Sequence, residues 1–265
     1  MKIYISCDME GTAGIVAWDE TEIDKSVYAH WANQMSREVA AACEGAIKGG
    51  ADEILVKDAH DFARNVNPDL LPEQAKIFRG WGRCPASMMA AVEQGFDGAV
   101  YTGYHSGAGM DTNPLSHTMN TRNMTVKCNG RLMPEAVINA MTASYFGVPS
   151  LCITGDKGIC EYMKSFEPEI ETVPVSEGNG AGSVSLQPDL AVKRIREGVE
   201  RAMRKPKEAC MFPLPEHFHI EICFKDHAKA RWASYYPGVK QTGTTTIEYD
   251  ADDYMDVLVM MHYLL

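Results

Sequence analysis

Two carboxylates two residues apart, Asp8 and Glu10, stand directly after a short apolar run, Ile3-Tyr4-Ile5, near the start of a 265-residue chain. In extended backbone, side chains at i and i+2 face the same side, so both acids converge on one point. Like charges held that close repel unless a cation neutralises them. Groups of the same kind recur at Asp58-Ala59-His60, at Gly103-Tyr104-His105, and at Glu135 directly after Pro134. Mixed histidine and carboxylate ligation suits zinc or a related first-row divalent ion. Each group alone has a plainer use. A histidine at a strand end commonly hydrogen-bonds its surroundings, and a carboxylate in the first turn of a helix complements the helix dipole. Together, Asp8, Glu10, His60, His105 and Glu135 exceed what one four-coordinate ion with an open position requires. If Asp8 bridges, they divide into two sites sharing one carboxylate, and two ions about 3.5–4 Å apart activate a water and polarise a carbonyl together.

His117 follows Ser116, but a serine–histidine hydrolase pair is a poor fit. Adjacent residues in extended chain point apart, and no Gly-x-Ser-x-Gly elbow is present. One role for His117 is a neutral imidazole beside a metal-bound water or a leaving amine. The other is a histidine that hydrogen-bonds its own loop. His217 and His219 are spaced as a metal pair, yet no acid or cysteine accompanies them at a strand end, so an edge-strand pair is expected. Thr242-Gly243-Thr244-Thr245-Thr246 either lines a pocket with hydroxyls or is a turn followed by a β-prone run.

The elements that position these residues begin in β–α–β order. After the first strand, Ile23, Val27, Trp31, Met35, Val39, Cys43 and Ile47 recur every four residues, with Gly49-Gly50 as the helix stop. A strand over 53–57 then runs into Asp58. That order implies parallel strands joined by a right-handed crossover, with the site beyond their carboxyl ends. Further strands are expected at 76–79, 98–102 and 151–154, and helices at 87–94 and 190–203. Met124 to Met133 reads as a hairpin turning at Asn129-Gly130. Pro134 opens a helix in the favoured first position. The glycine-rich stretch 176–185 lacks a phosphate-loop ending and is expected to be a flexible loop. Strand 219–224, helix 226–235, strand 244–249 and helix 252–262 complete the chain. The expected fold is α/β, a layered αβα arrangement around a mostly parallel sheet with a second, smaller α/β subdomain. Its segments are 1–80, an N-terminal metal-site region; 81–210, an inserted subdomain carrying His105, Glu135 and His117; and 211–265, which packs back on the first.

Composition narrows the partners. A net charge of −11, with no clustered Lys or Arg, argues against nucleic acid. No run reaches the roughly 18 apolar residues of a membrane helix, and Asp8 comes too soon for a secretory apolar region. Eight scattered cysteines without a C-x-x-C pair read as reduced thiols in a cytoplasmic protein.

Taken in order, Asp8-Met9-Glu10-Gly11, Asp58-Ala59-His60, Gly103-Tyr104-His105, Ser116-His117-Thr118-Met119, Glu135 with Asn139, Ala233 to Pro237-Gly238, and Thr242 to Thr246 span nearly the whole chain. This ordered set resembles the zinc-dependent D-aminopeptidases of bacterial dipeptide-transport operons. The resemblance implies two zinc ions per subunit with Asp8 bridging, Glu10 and His60 completing one site, and His105 and Glu135 the other. It implies His117 as the catalytic residue, and a ring-shaped homo-oligomer, a decamer of stacked pentamers. The expected activity is release of the N-terminal residue from short peptides by a metal-bridging hydroxide; preference for a D-residue comes from the resemblance alone. The alternatives are a metal-dependent hydrolase of another amide or ester, and a non-catalytic dipeptide-binding protein. Departures from the family pattern at 106–115 and 176–185 bear on substrate preference, not on the metal chemistry.

Overall fold

Ile3, Tyr4, Ile5 and Cys7 are all fully buried, and a strand buried on both faces belongs inside a sheet covered on both sides. The computed structural model describes residues 1–265. Its strands are β1 (Lys2–Cys7), β2 (Glu53–Asp58), β3 (Ala75–Phe78), β4 (Gly98–Tyr104), β5 (Asn123–Cys128) and β6 (Arg131–Leu132) in the first half. The second half adds β7 (Ser150–Asp156), β8 (Glu171–Asn179), β9 (Gly182–Ser185), β10 (Phe218–Phe224), β11 (Lys240–Gln241) and β12 (Thr246–Ala251). A seven-stranded sheet has the order β3-β2-β1-β4-β7-β8-β9. It is parallel except for the β8–β9 pair. An antiparallel sheet has the order β11-β12-β10-β5-β6.

Alternate residues of the central strands feed two cores, as the period of two requires. Ile3, Ile5, Ile54, Val56 and Val100 pack with α1 (Tyr28–Lys48) and with a later helix, Pro188–Ala202, on one face. Tyr4, Ala99, Tyr101 and Tyr104 point the other way, into a core shared with α2 (Glu135–Tyr145) and α3 (Lys157–Lys164). With the later helix as α4, the chain ends in α5 (His227–Ala233) and α6 (Tyr254–Leu264), which join that second core and cover the antiparallel sheet. The layered α/β fold with its smaller second unit is therefore present.

Several local expectations change. The helix read from Ile23 starts at Tyr28; Ile23 and Val27 are exposed and belong to an irregular segment that skirts the site. The helix expected at 87–94 is two 3-10 turns, Ser87–Met89 and Val92–Gln94, interrupted where Ala91 takes a left-handed φ of 74°. The stretch 176–185 is a hairpin, not a flexible loop: Ser176 pairs with Ser185 and Asn179 with Gly182, leaving Gly180-Ala181 as the turn. Pro134 caps α2 from outside, so Glu135 is the first helical residue. Each sheet draws strands from more than one of the segments 1–80, 81–210 and 211–265. The parallel sheet runs from β1 through β9, and the antiparallel one unites β5 and β6 with β10 to β12. That partner strands come from distant segments is a long-range pairing that no local pattern encodes.

Candidate metal centre

Three neighbouring parallel strands, β2, β1 and β4, deliver the first four groups from their carboxyl ends, where open α/β sheets place their sites. Asp8 follows β1 directly, Glu10 lies in the turn after it, His60 is two residues beyond β2, and His105 is the residue after β4. Glu135 comes from the first turn of α2 and His117 from the long β4–β5 connection. The turn carrying Asp8 and Glu10 lies flat on β4: Asp8 N–H donates to Thr102 O at 2.8 Å and Gly11 N–H to Gly103 O at 2.9 Å. A Cβ at Gly11 would stand 1.8 Å from the Tyr104 carbonyl oxygen, so glycine is required by the approach of two backbones.

The side chains converge. Asp8 Oδ1 lies 3.3 Å from His60 Nδ1, and Asp8 Oδ2 lies 3.5 Å from His105 Nε2. Glu10 Oε2 joins the first pair, 3.1 Å from His60 Nδ1, and Glu135 Oε2 the second, 3.5 Å from His105 Nε2. His117 Nε2 stands across both, 3.8 Å from Glu10 Oε1 and 3.7 Å from Glu135 Oε1. The rings of His105 and His117 stack 4.3 Å apart. Asp8, Glu10, His60, His105 and Glu135 are each at most 7% exposed.

The outer nitrogen of every imidazole faces a backbone carbonyl: His60 Nε2 to Thr21 O at 2.9 Å, His105 Nδ1 to Ser106 O at 2.9 Å, His117 Nδ1 to Leu115 O at 2.8 Å. A carbonyl only accepts, so each of these nitrogens carries the proton. In the neutral ring the inward nitrogen then presents a lone pair to the carboxylates. Lone pairs facing carboxylates repel, and a cation between them removes the conflict. Asp8 Oδ2, Glu10 Oε2 and His105 Nε2 are buried without a hydrogen-bond partner. In a folded interior such atoms ordinarily have one, and all three belong to clusters whose ligand-type atoms lie close enough together to hold a metal ion. The donor set fits zinc.

The proton balance points the same way. Burial alone would lower His60 and His105, but the facing carboxylates outweigh it and hold both well above the ordinary histidine range. Burial, with Glu10 beside it, pushes Asp8 up to about 6. Glu10 and Glu135 are held below the ordinary range against their burial, by His60 and His105 respectively. Imidazolium protons thus supply positive charge among three carboxylates, and a divalent ion would displace them. All of the six groups except His105 line a cleft of about 1240 Å³.

A family model described as D-aminopeptidase (Peptidase_M55) matches residues 1–263. The chain belongs to the D-aminopeptidase family. A D-aminopeptidase of Bacillus subtilis (strain 168) is 29% identical over 265 residues, 98% of this chain and 95% of that protein. The solved structure of the Zn-dependent D-aminopeptidase DppA from Bacillus subtilis, described as a self-compartmentalizing protease, matches with a TM-score of 0.92 at 28% identity. The match covers 100% of this chain and 96% of that one. By family the chain is a metallo-aminopeptidase, a hydrolase.

Within this D-aminopeptidase, all six residues singled out from the sequence come together. Other candidates fall elsewhere. Asp58 accepts from Asn65 N–H, Val66 N–H and the Asn65 amide at 2.5–2.8 Å, organising the loop that follows His60. Ser116 Oγ donates to Asn113 O at 2.7 Å. Asn139 donates to the Tyr104 hydroxyl at 2.7 Å, beneath the centre. Thr242 to Thr246 contribute nothing to the cleft lining. His217 and His219 sit at β10, an interior strand of its sheet, and pair with Asp252 and Asp250 at 2.7 Å each; the acids expected to be missing arrive from β12 and the turn after it. Two contributors were given no role from the sequence. Asp156 accepts from Ser106 N–H at 2.6 Å and Ser106 Oγ at 2.7 Å, fixing the loop after His105 while capping α3. Trp18 sets its ring edge-on to His117 at 5.1 Å. An Asp at a strand end directly before a helix was the available hint for the first; the second had none.

Proposed function

We propose that this D-aminopeptidase is a dinuclear zinc enzyme, with Asp8 shared between the ions, that releases an N-terminal D-residue from short peptides. The observation that carries the reading is the division of Asp8: its two oxygens face inward nitrogens of different histidines, with Glu10 flanking one and Glu135 the other. Glu10 and His60 would hold one ion and His105 and Glu135 the second. When bound, the ions supply polarisation of the scissile carbonyl and acidification of a water toward a pKa of about 7.

The chain's own contribution centres on His117. Its Nδ1 proton is committed to Leu115 O, so Nε2 is the atom that takes or returns a proton as water attacks and the amine leaves. Stacking on His105 and the edge of Trp18 fix the ring's orientation, which keeps Nε2 aimed at the centre. The near-complete burial of the ligand carboxylates keeps competing water away and strengthens every charge interaction inside. A ring-shaped homo-oligomer, a decamer, is in keeping with the self-compartmentalizing relative. A cytoplasmic location accords with eight unpaired cysteines.

Protein stripped with chelator and reloaded with zinc is expected to release D-alanine from D-alanyl peptides, to spare the L-isomers, and to lose activity when the amino terminus is acetylated. Zinc-loaded protein inert toward both D- and L-panels would refute the peptidase reading.

A further inference from the structure

The cleft that holds the metal centre is lined by one lysine or arginine only, Arg83. Around it the other charged groups of the wall outside the centre are acidic: Glu22, Asp24 and Asp61. The Arg83 guanidinium makes no hydrogen bond and no ion pair; the salt bridges of the molecule and its side-chain bonds all involve other residues. Arg83 is solvent-exposed, and an unpaired arginine on an open surface needs no explanation; what sets this one apart is that it stands alone in the lining of an otherwise acidic cleft beside the metal centre.

The backbone there makes the placement more pointed. Arg83 has φ of 54°, in the left-handed region where glycine or asparagine is the ordinary choice. Since its side chain bonds nothing, folding gains nothing visible from arginine at this position. The segment leading to it is nevertheless pinned. Gly80 N–H donates to Ala63 O at 2.7 Å, and Gly80 O accepts from the Lys57 ammonium at 3.0 Å. The Trp81 indole donates to Asp61 O at 2.7 Å, and the Lys57 ammonium also lies 4.4 Å over the Trp81 ring. Lys57 is fully buried, and burial lowers its pKa to about 8. The chain thus commits an interior lysine and an indole to holding, at the cleft wall, the turn that presents one free guanidinium.

We infer that Arg83 binds the C-terminal carboxylate of the substrate, which makes the enzyme selective for very short peptides with a free acid terminus. This rests on the aminopeptidase reading and goes beyond it. A guanidinium takes a carboxylate through two parallel N–H···O bonds. In a peptide of two or three residues bound by its amino end at the centre, the carboxylate lies only about 7–10 Å along the chain. Acidic neighbours repel a carboxylate everywhere else on the wall, so Arg83 also sets where it rests. A longer peptide or a C-terminal amide has no charge to offer there.

The test compares D-alanyl-glycine with D-alanyl-glycinamide on zinc-loaded parent enzyme, Arg83→Ala and Arg83→Lys, with circular dichroism and zinc content as controls of folding. The parent is expected to prefer the acid by at least tenfold in kcat/KM. In Arg83→Ala that ratio should collapse toward one, chiefly through KM for the acid, and Arg83→Lys should recover part of it. A parent ratio near one, or an equal loss on both substrates in Arg83→Ala, total loss included, overturns the assignment. Failure of the parent on both substrates would instead remove the peptidase reading on which it rests.

Discussion

Asp8 and Glu10 leave the same turn but meet different partners, because the first presents an oxygen to each of two histidines and the second flanks only His60. His117 is set apart from the other five groups by position: it faces Glu10 and Glu135 from across the centre and is the most exposed of the six, its side chain at 12%. In the proposed centre that position separates metal binding from proton transfer. His117→Ala should therefore keep its zinc while kcat falls by about 10²–10⁴-fold; metal analysis beside steady-state kinetics checks both halves. At this scale the sequence was most legible. Convergence of the six groups needs a particular residue type at or near the end of a strand or the start of a helix, and both facts are written locally. Asp156 and Trp18 were not legible, since their partners Ser106 and His117 lie 50 and 99 residues away in the chain, and only the folded strands bring them together.

At the scale of elements, α1 supports the metal turn through one buried carboxylate. Glu38 Oε1 accepts from Ala13 N–H at 3.0 Å and from the Gln34 amide at 3.0 Å. Burial outweighs those bonds and raises its pKa to about 7. The folded chain therefore holds this proton between roughly pH 4.5, where the unfolded group titrates, and pH 7, while the unfolded chain has lost it. Proton binding is greater in the folded state, so this group's contribution to stability declines as pH rises through that window. Glu38→Gln should gain on the parent by about 1–3 kcal/mol between pH 4.5 and 7.5, read from urea midpoints; a parallel pH dependence of the two proteins would count against it. The apolar strands β1 to β4, β7, β10 and β12 were read from their runs with small errors at their ends, whereas β8, β9 and β11 were not read as strands. The misread elements have separate causes. Helix periodicity at Ile23 and Val27 continued past the true start because apolar residues that skirt a cleft look the same as core residues. Glycines at 178–182 suggested mobility, whereas the pairing of β8 with β9 makes the stretch a hairpin.

At the scale of the whole molecule, a sheet of seven strands and a second of five are built from segments that alternate along the chain, a pairing that local sequence patterns do not encode. No helix is long and apolar enough to cross a membrane. Assembly into a closed ring should give, by light scattering on a sizing column, a mass near ten times the 29.3 kDa of one chain; a monomeric mass at micromolar concentration would exclude it. The central claim is a shared carboxylate between two metal sites, and zinc content per chain tests it most directly. Parent enzyme should carry two ions, Glu10→Ala about one, and Asp8→Ala close to none after passage over a desalting column. Equal losses in Asp8→Ala and Glu10→Ala, or a parent that binds a single zinc, would contradict it.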